Sequence, residues 1–207
     1  MRPLPRLLAF ADDRIALLED LGVRAAAIAA AGPAAGLVAR LPAGTTDRLA
    51  SLAQRFVALA TPPMASVFVT GRSDVAAATG AHGLILRHAD LPHPERSEGP
   101  HRSSRLMLLH SIHSVAEGES AAANGADALV VGSIWPTSTH PDRTAAGTGL
   151  LRDVVALGLP TFAIGGVTPA RAVEAHDAGA WGIAAIMAVW DADEPYAAAM
   201  EMLQPWS

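Results

Sequence analysis

The chain has 207 residues, 51% of them apolar, enough to bury one large core. Its net charge of −5, from 15 basic and 20 acidic residues, excludes the basic face of a nucleic-acid binder, and the absence of cysteine excludes disulfides, thiol catalysis and thiolate metal sites. No apolar run reaches the length of a membrane helix, and Pro3 and Pro5 interrupt any leader-like start, so a cytoplasmic protein without membrane or nucleic-acid partners is expected.

Short apolar runs alternate with amphipathic segments along the whole chain. Strands are expected at residues 7–10, 36–40, 65–69 and 83–86, each ending in polar or turn residues. Helices are expected at 15–30, at 47–59 with Thr46 as cap, and at 74–79. Residues 91–104 are polar and rich in proline and serine, so they predict a mobile loop insertion in place of a regular fourth helix. The pattern resumes with strands at 106–111, 127–131, 161–164 and 182–186. Helices follow from Ser114 to Asn124, and at 150–157, 170–178 and 194–203. Uninterrupted apolar runs suit strands buried on both faces, hence a parallel sheet. Eight such units with no nucleotide fingerprint predict a single-domain (β/α)₈ barrel over residues 1–207.

In such barrels ligands sit at the C-terminal ends of the strands, and phosphate is commonly held after strands seven and eight. Gly165-Gly166 falls there, at the end of an apolar run. Thr168 as N-cap and Pro169 as first helical residue would leave free N–H groups beside it. A tight turn with no ligand is the competing reading. Asp12 and Asp13 end the first strand, where capping of the next helix accounts for one of them. Trp135 and Trp181 are expected to pack, with Trp135 also a candidate pocket wall. Met187 is expected in pocket wall or core. Arg72 and Arg87 are cationic near the expected mouth, as suited to the surface as to an anion.

Three segments together resemble the thiamine phosphate synthase/TenI family. They are Gly80-Ala-His-Gly-Leu-Ile-Leu-Arg-His-Ala-Asp-Leu-Pro92, then Ser111-Ile-His-Ser114 with Asn124-Gly-Ala-Asp127 and Gly132-Ser-Ile-Trp-Pro-Thr-Ser-Thr-His140, and finally Ala163-Ile-Gly-Gly-Val-Thr-Pro169. The similarity is clear over residues 65–190. It implies a barrel that binds thiazole phosphate and can self-associate as a homodimer. The synthase branch joins an aminopyrimidine pyrophosphate to the thiazole with Mg2+, and some TenI members isomerise a thiazole carboxylate phosphate.

Carried over residue by residue, the resemblance implies a phosphate and substrate site of Arg40, Ser111, Thr137, Thr139, Gly165 and Gly166. Of two magnesium carboxylate positions, one falls on Thr70-Gly71 and the other keeps Asp90. The lysine after the Thr-Pro-Thr pattern is His140, and the serine near the end of strand eight is Met187. A departing pyrophosphate needs cations against its developing charge. These losses therefore point away from the synthase and toward a TenI-like thiazole tautomerase needing no cofactor. The tautomerase histidine position is Ser133, which leaves His140 and His88 as candidate catalytic bases. His113 is expected to orient the helix after strand five. His110, of opposite parity to Ser111, is expected to face the helices. The alternatives are the synthase, with Mg2+, and a phosphate-ligand binding protein without catalysis.

Overall fold

The computed structural model describes residues 3–60, 64–87, 106–137 and 144–207. Eight parallel strands close into one barrel in chain order: β1 (Leu7–Ala11), β2 (Ala35–Ala39), β3 (Ser66–Thr70), β4 (Gly83–Arg87), β5 (Met107–Ile112), β6 (Ala128–Val131), β7 (Thr161–Ile164) and β8 (Gly182–Ala185). Closure is made by β8 on β1, with Leu7 opposite Ile183. The helices are α1 (Leu21–Ala29), α2 (Thr46–Leu59), α3 (Ser73–Thr79), α4 (Val115–Ala123), α5 (Gly147–Val155), α6 (Pro169–Asp177), α7 (Met187–Trp190) and α8 (Pro195–Leu203). The predicted loop at 91–104 lies outside the described residues.

Strand periodicity sorts the apolar residues into two cores. Leu8, Phe10, Val38, Phe68, Ile85, Leu109, Val130 and Phe162 fill the barrel interior, and the alternate positions pack against the helices. Room for the interior aromatics comes from glycine. A Cβ at Gly83 would collide with the Phe68 ring, and one at Gly182 would lie 2.8 Å from Phe162 Cε1. The N-terminal end is stoppered by Arg6, stacked 3.6 Å over Trp181 and donating to the Trp181 carbonyl at 2.8 Å.

Four predicted elements differ. The helix expected at 150–157 starts three residues earlier, as α5 at Gly147. The helix expected over 15–30 is two pieces. Asp12 Oδ1 accepts from the amides of Arg14 and Ile15 and starts a short 3₁₀ turn, Ile15–Leu17; Leu18 is then extended, and α1 begins at Leu21. The cap of α2 is Thr45, one residue earlier than expected, accepting from the amide of Arg48 at 3.3 Å. The last strand stops at Ala185 and is followed by α7, a four-residue helix too short for periodicity to reveal.

Candidate active site

Along each strand, the residue two places beyond the interior layer emerges at the C-terminal mouth. By this rule Val38 leads to Arg40, Phe68 to Thr70, Ile85 to Arg87, Leu109 to Ser111 and Val130 to Gly132. All five emergent residues line a cavity of about 600 Å3. Its floor is Phe10, Ile85, Val130, Ile164 and Ala184, and its rim includes Arg72, His113, Ser133, Thr137, residues 165–167 and residues 185–188. The structure thus brings together Arg40, Ser111, Thr137, Gly165 and Gly166. Thr139, His140, His88 and Asp90 lie outside the described residues.

The β7 side of the mouth is built from backbone. Gly165 and Gly166 hold φ of 98° and 64°, a region that disfavours other residues. The loop after β6 packs directly on them. A Cβ at Gly165 would lie 2.6 Å from Ser133 Cβ, and one at Gly166 would overlap the Pro136 carbonyl oxygen. The amide of Trp135 donates to the Gly165 carbonyl at 3.2 Å, and Arg171 Nη1 donates to the Gly166 carbonyl at 2.5 Å. Both carbonyls are therefore turned into protein. The amides of Gly165 and Gly166 meet no acceptor among the described residues. The start of α6 does not join them. Thr168 caps it as predicted, accepting from the amide of Arg171 at 3.3 Å, but neither Thr168 nor Pro169 lines the cavity. The segment entering α7, residues 185–188, lines it instead.

The opposite side is cationic. Arg40, half-buried at the end of β2, has its guanidinium free of acceptors among the described residues. Arg72, between β3 and α3, is held in a fork: Nε and Nη2 donate to the two Asp74 oxygens at 2.9 and 2.6 Å, and Nη1 donates to Thr46 Oγ1 at 2.5 Å. That hydrogen bonding brings the Asp74 carboxyl down to about 2 and raises Arg72 further above its ordinary value. No aspartate or glutamate lines the cavity among the described residues.

Several single-residue expectations are met. The amide of His113 donates to Glu117 Oε2 at 2.7 Å while the Ser114 hydroxyl accepts from the amide of Glu117 at 3.2 Å, a reciprocal cap at the start of α4. His113 also lines the cavity, a position the sequence reading left out. His110 is fully buried and outward-facing by parity. Trp135 packs beneath the site, with Nε1 on Glu174 Oε2 at 3.1 Å, rather than lining it. Met187 is pocket wall, 41% exposed.

Magnesium, which the synthase resemblance implies, needs hard oxygen donors, carboxylates first. Among the described residues no group of acidic or imidazole side chains could hold a metal ion, and the β3 position of the expected pair is Thr70-Gly71. The described lining therefore fits anions and does not fit a hard cation.

The comparisons with known proteins agree with this fold. The thiamine monophosphate synthase family matches residues 8–189. A thiamine-phosphate synthase of Mycobacterium sp. (strain JLS) is 43% identical over 138 residues, 65% of this chain and 59% of that relative's length. One from Mycobacterium sp. (strain KMS) is 39% identical over 170 residues, 80% of this chain and 70% of its own. The solved thiamine phosphate pyrophosphorylase of Pyrococcus furiosus superposes with a TM-score of 0.80 at 30% identity, covering 97% of this chain and 94% of that one. These relatives carry synthase names, so the balance moves from the tautomerase expected from sequence to the synthase. The chain belongs to the thiamine monophosphate synthase family.

Proposed function

We propose that the chain is a thiamine phosphate synthase, joining an aminopyrimidine pyrophosphate to thiazole phosphate. One observation carries the reading: a single cavity with unsatisfied glycine amides on its β7 side, arginines on its β2–β4 side and no acidic lining among the described residues. A thiazole phosphate would place its phosphate on the amides of Gly165 and Gly166. Its ring would rest over Ile164, Val130 and Ala184, with the hydroxyls of Ser111 and Thr137 within the same wall. The pyrophosphate of the second substrate would face Arg40.

In the reaction one carbon–oxygen bond to the pyrophosphate breaks, the electron pair leaving on oxygen, and the same carbon bonds to the thiazole ring nitrogen. The protein's part is to hold the two ring systems face to face and to meet the charge on the leaving oxygens with fixed donors. Arg40 is suited to that, because no carboxylate among the described residues neutralises its guanidinium.

The test is incubation of the purified chain with both substrates and Mg2+. Thiamine phosphate and pyrophosphate formed one for one support the synthase. Thiazole phosphate that binds without coupling would overturn it and leave a binding protein.

A further inference from the structure

A closed eight-stranded barrel places β3 four strands from β7 in either direction, so their C-terminal ends face each other across the mouth. Arg72 follows β3 and Gly165-Gly166 follows β7. We propose that Arg72 is a pyrophosphate-binding residue of this enzyme, standing beside the β3 position where a metal carboxylate was expected. The inference rests on the synthase reading and deepens it, by saying which side chain meets the leaving group where Thr70-Gly71 offers no metal ligand.

Arg72 is built for the task by its holders. A guanidinium has five N–H donors. Three are spent on Asp74 and Thr46, which lie on α3 and α2. Each terminal nitrogen keeps one further N–H while the plane of the group is fixed. Two donors in one fixed plane can each meet a phosphate oxygen, and a pre-positioned guanidinium loses little rotamer freedom on binding. Asp74 cancels most of the net charge, so Arg72 contributes direction while Arg40 on β2, with no carboxylate partner among the described residues, contributes charge. The preceding Gly71 adds no side chain between the fork and the cavity, and a Cβ there would meet nothing within 4 Å.

The experiment is calorimetric titration of inorganic pyrophosphate, and separately of thiazole phosphate, into the full chain and its Arg72→Ala and Arg72→Lys variants, without and with Mg2+. The wild type is expected to bind pyrophosphate without Mg2+. Arg72→Ala is expected to weaken that binding at least tenfold and leave thiazole phosphate within twofold, which also shows that the variant is folded. Arg72→Lys keeps the charge and loses the fork, and is expected to fall between. Pyrophosphate binding unchanged in Arg72→Ala would overturn the inference, as would wild-type binding seen only with Mg2+. A coupling assay separates the two ideas. Coupling with Arg72-independent pyrophosphate affinity removes this inference alone. Arg72-dependent pyrophosphate binding without coupling removes the synthase reading alone.

Discussion

Gly166 concentrates the constraints of the site in one residue. Its φ of 64° and the Pro136 carbonyl against its Cα leave no place for a Cβ. Gly166→Ala is expected to cost about 1–3 kcal/mol of stability from backbone strain and to weaken thiazole phosphate at least tenfold, read by thermal melting and calorimetry. Unchanged affinity would show that the phosphate sits elsewhere. Asp74 gives a pH prediction. Its carboxyl falls from the ordinary 3.8 to about 2 in the folded chain, through its hydrogen bonds with Arg72. A depressed acid favours the fold above its unfolded pKa, and that contribution fades as pH falls through about 2. The melting temperatures of wild type and Asp74→Asn should differ by a constant amount from pH 5 to 8 and draw together as pH falls from about 4 through about 2. A gap undiminished at pH 2 would contradict the assignment. The turn at Gly165 and Gly166 was legible in the sequence because a glycine pair closes the apolar run there. The fork on Arg72 was not, because Thr46 lies 26 residues away.

At the scale of elements, α7 owes its place to the rest of the barrel. Four residues cannot sustain a helix alone. Its last residue, Trp190, is fully buried and stacks on Phe56 of α2 at 6.0 Å. Arg24 of α1 donates to the carbonyls of Trp190 and Ala192 at 3.0 and 2.7 Å, and Asp20 holds its Nε at 2.8 Å. Arg14 pairs with Asp191 at 2.9 Å. A cation on the final carbonyls of a helix also suits its dipole. Arg24→Ala is expected to destabilise the chain by about 1.5–3 kcal/mol in denaturant unfolding, the usual worth of hydrogen bonds to a charged group. Arg14→Ala, which removes an exposed pair, is expected to cost less than about 1 kcal/mol. Equal losses would show that Arg24 is not the anchor. None of this was legible locally: Met187–Trp190 lacks a period, and its anchor is 166 residues away in sequence. The split before α1 was hidden for another reason. The alanine-rich run keeps a helical pattern across Leu18, while the 3₁₀ turn is started by the side chain of Asp12.

Across the whole molecule, the barrel was legible because eight buried parallel strands each need an uninterrupted apolar run, and glycines mark where two of them end. Strand parity then carried Arg40 and Ser111 to the mouth. The choice between activities was not legible. Counting absent family residues made the synthase look unsupported, and the arrangement of arginines opposite a glycine turn appears only when the sheet is closed. That closure puts the glycine turn and the arginines on one cavity. The most direct measurement is calorimetric titration of thiazole phosphate into the full chain already saturated with inorganic pyrophosphate. Thiazole phosphate should bind as tightly as to the free chain, or more tightly, with one equivalent of each ligand held together. Mutual exclusion of the two would mean a single anion site, and would contradict a cavity built for two phosphorylated partners.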